Sequence, residues 1–193
     1  MKIYDISADI LSAAVYPGDP EPRLERVETI GQGSDCNLSA LYCCLHNGTH
    51  VDAPLHFLPE GETIDNMPLD AFLGECRVVE VPEGPITARI ADEILPADAK
   101  RVIIKGNGAA YFSEDGALLA AGRGYLLIGV DAASVGIHGI QTPVHRTLLS
   151  SGTALLEGLV LDDVPEGAYF LSALPLRIGG AEAAPVRAVL CEF

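Results

Sequence analysis

His46-Asn47-Gly48-Thr49-His50-Val51-Asp52-Ala53-Pro54-Leu55-His56-Phe57 is the most informative stretch of this 193-residue chain. It holds three of the chain's five histidines, with an aspartate between the second and third. His46, His50, Asp52 and His56 all have even numbers, so an extended backbone would turn them to one face. Fully extended, the run would span roughly 33 Å, too far to serve one site. Gly48 and Pro54 are the positions where the chain can bend and bring the ends together. Imidazole and carboxylate are the usual donors to zinc, manganese and iron(II). A single histidine here would read as a hydrogen-bonded loop residue; three with an aspartate at this spacing read as a metal site.

A second signal lies about a hundred residues on. Glu157 sits in Thr153-Ala154-Leu155-Leu156-Glu157-Gly158-Leu159-Val160-Leu161, a run apolar on both faces, as in a fully buried strand. A carboxylate buried there without a partner would cost several kcal/mol. A metal ion or a buried arginine would meet the need. His145, on the preceding helical segment, is its natural companion. The candidate ligands are then His46, His50, Asp52, His56, His145 and Glu157. One catalytic zinc needs three protein ligands. Two ions sharing a carboxylate would use all six, and one ion with two proton-handling groups is the alternative. His138 and Glu60 read as loop residues, and Asp131 as either a site residue or the cap of a turn after the strand that precedes it.

Around these signals the pattern is one of many strands. Strands are expected over 23–31, 38–46, 77–81, 101–105, 125–130, 154–161, 169–177 and 184–192. Helices are expected from a Thr87 cap to Leu95, over 113–121, and over 143–149 with Gly152 just past the end. Residues 16–20, Tyr-Pro-Gly-Asp-Pro, form a rigid turn, and 47–68 a long irregular passage of the kind that carries function. The expected architecture is one α/β or α+β domain over 1–193, with a mixed sheet curled like a barrel.

Composition removes several classes of function. The formal net charge is −15 and no window is basic, which argues against nucleic acid and anionic membranes as partners. No apolar stretch approaches the ~20 residues of a membrane span. Met1 to Ser7 lacks the apolar core of a secretory signal. The five cysteines, Cys36, Cys43, Cys44, Cys76 and Cys191, are odd in number and lack paired spacing. They read as reduced, mostly buried residues of a cytoplasmic protein.

The run from His46 to His56 matches H-x-G-T-H-x-D-x-P-x-H, and here the chain resembles the cyclase-like metal hydrolases, which include bacterial kynurenine formamidase and isatin hydrolase. Asp5-Ile6-Ser7, Tyr16 to Pro20, Gly129-Val130-Asp131, His145 to Leu149, Glu157-Gly158-Leu159, Leu174 to Leu176 and Ala184 to Arg187 extend the resemblance over nearly the whole chain. It implies a swivelling β/β/α fold with a mixed, barrel-like central sheet, and a homodimer or larger homo-oligomer. In the formamidases the residues matching the six candidates hold two zinc ions with bridging carboxylates. In isatin hydrolase those matching His46, His50 and Asp52 hold one manganese, and an amide replaces the residue matching Glu157. The implied chemistry is hydrolysis of a small amide, an aryl formamide such as N-formylkynurenine in tryptophan catabolism, by metal-activated water. His56, His145 and Glu157 would be the proton-handling groups. Hydrolysis of a lactam or lactone, an iron(II)-dependent oxygenase, and a non-catalytic metal-binding protein are the competing readings.

Overall fold

The computed structural model describes residues 1–192. Its thirteen strands are β1 (Lys2–Asp5), β2 (Arg23–Glu28), β3 (Leu38–Tyr42), β4 (His50–Asp52), β5 (Leu73–Glu80), β6 (Gly84–Ile86), β7 (Arg101–Lys105), β8 (Ala110–Phe112), β9 (Leu127–Val130), β10 (Ala154–Glu157), β11 (Gly167–Ser172), β12 (Ala183–Pro185) and β13 (Val189–Glu192). The helices are α1 (Ala88–Ile94), α2 (Glu114–Gly122) and α3 (Thr142–Ser150).

Nine strands form one mixed sheet in the order β1-β13-β11-β5-β7-β9-β10-β4-β12. Its centre, β5-β7-β9-β10, is parallel, and antiparallel strands extend both sides. The sheet curls into a half-barrel, the mixed α/β architecture expected. Val102, Ile104, Ile128 and Leu155 turn to one face and pack with Ala91, Ala117, Val144 and Leu148 of the three helices. Ile103, Leu127, Ala154 and Leu156 turn to the other, where Ile6, Phe72, Leu171 and Leu190 complete a second core. A parallel centre covered on both faces demands strands apolar on both sides, and β9 is Leu-Ile-Gly-Val, buried throughout.

Local signals placed the helices well. The Thr87 hydroxyl accepts from Ile90 N and opens α1, and Ser113 caps α2 in the same way. Pro143 sits in the first turn of α3. Several expectations need correction. The strand expected over 184–192 is two, β12 at the edge beside β4 and β13 between β1 and β11. The passage over 47–68 contains β4, a strand in the main sheet, followed by a 3-10 turn at Pro54–His56. The strand expected over 154–161 ends at Glu157, where Gly158 turns with φ +68°. A Cβ on Gly158 would stand 2.6 Å from the Gly48 carbonyl oxygen, so the two loops meet backbone to backbone. Of the cysteines only Cys76 is buried; Cys36 is exposed and the rest are half-buried.

β2 and β3 stand apart as a two-stranded antiparallel ribbon with every residue exposed. Among the described residues no helix is long and apolar enough to cross a membrane.

Candidate metal centre

The sheet's register assembles the site. β4 pairs antiparallel with β10, setting His50 opposite Glu157 and Asp52 opposite Leu155. His50, Asp52 and Glu157 therefore share a face. On that face α3 supplies His145, and the 3-10 turn after Pro54 returns His56. At the other end Gly48, with φ +68°, turns the chain so that His46 comes back over Asp52. Both bends fall where the sequence allowed them.

Donor atoms converge in two groups. His46, His50 and Asp52 each offer an atom within 4.8 Å of the others, and so do Asp52, His145 and Glu157. Asp52 belongs to both. His46 Nδ1 lies 2.9 Å from Asp52 Oδ1, His50 Nε2 is 3.6 Å from Glu157 Oε2, and His145 Nε2 is 3.3 Å from Glu157 Oε1. His56 Nε2 is 3.9 Å from Asp52 Oδ2 and belongs to neither group. Both Asp52 oxygens and His50 Nε2 are buried without a hydrogen-bond partner. Buried polar atoms are normally satisfied, and cations held by the two donor groups would satisfy these three. The donor set, imidazole and carboxylate, suits zinc or manganese.

Surrounding groups orient the rings. His50 Nδ1 donates to Gly48 O at 3.0 Å and His145 Nδ1 to Gln141 O at 3.0 Å, so both present Nε2 inward. Phe57 stacks on His145 with centroids 4.4 Å apart. Thr49 donates to Gly158 O at 2.6 Å and accepts from Ala8 N at 2.8 Å, tying the signature loop to the end of β10 and to the N-terminal segment.

Glu157 meets no arginine. It accepts from Val135 N at 2.8 Å and from the Ser134 hydroxyl at 3.3 Å. The buried arginine of the chain, Arg101, instead donates to the carbonyls of Asp70, Ala71 and Glu75. Asp131 accepts from Gly106 N and so holds the turn after β7, not the turn after its own strand. Glu60 is exposed. His138 is exposed and shares a 2.7 Å hydrogen bond with the Tyr16 hydroxyl. Ser134, Glu182 (3.4 Å from His46 Nε2) and Tyr16 were not singled out from the sequence. None lies near the histidine run in the chain, so only the folded structure brings them together.

The cavity over the ligands is about 150 Å³, lined by Tyr16, Asp19, Phe57, Ser134 and Gln141 besides the histidines and Glu157. A larger groove of about 760 Å³ runs past Arg77, Lys100 and Tyr169, with none of the candidate ligands.

The model of the Cyclase family, described as "Putative cyclase", matches residues 4–136. A kynurenine formamidase of Paracidovorax citrulli is 39% identical over 206 aligned positions, covering 97% of this chain and 95% of that protein. The chain belongs to the cyclase family. Among solved structures, a predicted metal-dependent hydrolase from Bacillus stearothermophilus superposes with a TM-score of 0.85 at 30% identity, covering 98% of this chain and 97% of that one. Isatin hydrolase A from Labrenzia aggregata shares the fold at 20% identity, with a TM-score of 0.83 and coverage of 98% and 93%.

In this family member the site's own electrostatics would make metal binding depend on pH. Burial opposes charge on His50, but Asp52 and Glu157 outweigh it and raise its pKa to about 9. Burial opposes charge on Asp52 as well, yet His46 and His50 hold its carboxyl well below the usual range. A histidine raised in the folded state contributes stability fully below its unfolded pKa, near 6.5, and loses it as pH rises through the folded value. Asp52 stays ionised throughout that window. The metal-free protein is therefore expected to melt at a lower temperature at pH 9 than at pH 6.5. Metal needs neutral imidazole, so binding should release protons and tighten over the same range. Thermal melts with chelator and with zinc at the two pH values check both; a chelated protein that melts higher at pH 9 would contradict the assignment.

Proposed function

We propose that this chain is a metal-dependent hydrolase of small aryl formamides, N-formylkynurenine among them, holding two zinc ions. The observation that carries the reading is the pair of donor groups sharing Asp52, with three ligand atoms buried and unpaired. The full-length similarity to a kynurenine formamidase supports the substrate class. His46, His50 and Asp52 would hold one ion, and Asp52, His145 and Glu157 the other. Manganese would suit the same donors. When bound, such ions polarise a carbonyl and make water nucleophilic near neutral pH.

The chain's own groups do the rest. Burial lowers the pKa of His56, so its imidazole is neutral at pH 7. Outside both donor groups, it is free to take a proton and pass it to the departing nitrogen. Phe57 packs edge-on against it at 4.4 Å and fixes its ring. Glu157 and His145, candidates for proton handling from the sequence, would serve here as ligands. An arylamine is a better leaving group than an alkylamine and needs less help from His56. N-formylkynurenine should therefore be cleaved at least about a hundredfold faster than an N-alkyl formamide, about 2.7 kcal/mol in barrier. Formate release from zinc-loaded protein measures this, and failure to cleave any aryl formamide would overturn the substrate class.

We infer that a second copy of the chain is its partner, in a homodimer or a larger homo-oligomer. The β2–β3 ribbon exposes Leu24, Val27, Leu38, Leu41 and Tyr42, and Ile30 in its connection. A two-stranded ribbon alone in water is marginal, and exposed apolar residues grouped in this way mark an interface. The expected result is a dimer or larger assembly by sedimentation, reduced to monomer by Leu24→Glu with Leu41→Glu. These two residues are cross-strand partners. A wild-type monomer would refute the assembly. The five free cysteines fit a cytoplasmic enzyme.

A further inference from the structure

His46 differs from the other two histidines of the donor groups in what stands behind its ring. His50 and His145 each turn Nδ1 to a backbone carbonyl, Gly48 O and Gln141 O, and so present Nε2 to the site. His46 is turned the other way. Its Nδ1 faces Asp52 Oδ1 at 2.9 Å, and its Nε2 lies 3.4 Å from Glu182 Oε1, a carboxylate outside both donor groups. A neutral imidazole carries a proton on one nitrogen and a free lone pair on the other. To share an ion with Asp52, His46 needs its lone pair on the nitrogen that faces Asp52, which is Nδ1. The proton then falls to Nε2, beside Glu182.

The backbone fixes the place of Glu182. The residue immediately precedes β12, and its carbonyl accepts from the N–H of Ala53, the residue after Asp52, at 2.9 Å. One position earlier, Ala181 O accepts from Ile64 N at 2.8 Å, and before that Gly180 N donates to Asp65 Oδ1 at 2.9 Å. The Glu182 side chain is 41% exposed, and among the described residues no lysine or arginine pairs with it; His46 does.

We propose, resting on the two-ion reading for the ligand set, that Glu182 is a positioning residue for the ion that His46, His50 and Asp52 would hold: it accepts the Nε2 proton of His46, fixes that tautomer and aims the Nδ1 lone pair at the ion. A carboxylate is a stronger acceptor than the carbonyls behind His50 and His145, so it also makes Nδ1 the better donor. Glu182 touches neither ion nor substrate and acts through the imidazole.

The test is zinc titration against a chromophoric chelator, on the wild type and on Glu157→Gln, which should retain this ion alone. Glu182→Ala should weaken zinc affinity at least about tenfold in both, the lower end of the loss expected when a ligand's outer partner is removed. Glu182→Gln keeps the shape and an acceptor oxygen but not the charge, and should cost about threefold, the scale of one hydrogen bond. It carries the same test if circular dichroism shows the alanine variant misfolded. Nitrogen-15 spectra of histidine-labelled, zinc-loaded protein read the tautomers directly. In the wild type His46 should carry its proton on Nε2, and His50 and His145 theirs on Nδ1. In Glu182→Ala only the His46 signals should move, which a merely structural role for Glu182 would not single out. Unchanged affinity in both Glu182 variants, or a wild-type His46 protonated on Nδ1, would overturn the proposal and leave the metal site standing. A wild type that binds no zinc would overturn both. Zinc weakened as expected, in a protein that cleaves no amide, would support the proposal and end the hydrolase reading.

Discussion

Asp52→Asn is expected to strip both ions and cut hydrolysis by at least about a thousandfold, a loss of some 4 kcal/mol of transition-state stabilisation. Asp52 is the residue common to both donor groups, and neither of its oxygens has another partner. An amide of the same shape removes the charge that draws two cations together and replaces one donor oxygen with a nitrogen that has no free lone pair. The fold should survive. Asp52 lies between Val51 and Ala53, both fully buried, and β4 is held through its backbone by strands on both sides. Without the carboxylate His50 loses its main counter-charge and becomes neutral, which a buried imidazole tolerates. Elemental analysis, circular dichroism and formate release measure the three parts. A folded variant with full zinc and wild-type turnover would refute the site.

Glu157→Gln is expected to lower the zinc content from about two ions per chain to about one, as a two-metal site requires. The first group, His46, His50 and Asp52, does not contain Glu157 and should keep its ion. The second loses its only unshared carboxylate. Glutamine still accepts from Val135 N, so the loop between β9 and α3 should stay in place. Activity should fall because the remaining ion works without its neighbour. Zinc titration of dialysed protein decides the matter. A stoichiometry of one in the wild type, unchanged in the variant, would reject the paired site and leave a single-ion hydrolase.

The site was legible in the sequence to the extent that its residues cluster locally. His46, His50, Asp52 and His56 fall within one short run, and the bends at Gly48 and Pro54 follow from backbone chemistry alone. Glu157 was legible by contradiction, a carboxylate in an apolar strand. Its partners were not: the Ser134 hydroxyl, the Val135 N–H and two rings arrive from other elements. β4 was missed because three residues between a glycine and a proline carry no strand pattern. Its strand character comes from tertiary pairing with β10 and β12. The ribbon strands were expected, but their detachment was not, because residues that alternate only loosely do not reveal which face is covered. Tyr16 stood in a recognisable turn, yet its meeting with His138 joins positions far apart in the chain.

The pairing of β4 also bears on how the chain reaches its native state. β4 must insert between β10 and β12, segments roughly a hundred residues or more further along, and such contacts form at high entropic cost. A shift of one residue would turn Val51 toward the helices and His50 and Asp52 into the apolar core. The hydrophobic cost of that error is small, since the strand is only three residues long. The ligand set supplies the missing discrimination, because only the correct alignment gathers His50, Asp52 and Glu157 on one face. Metal capture by these residues would therefore act as a proofreader of strand alignment, favouring closure of the curl in one register.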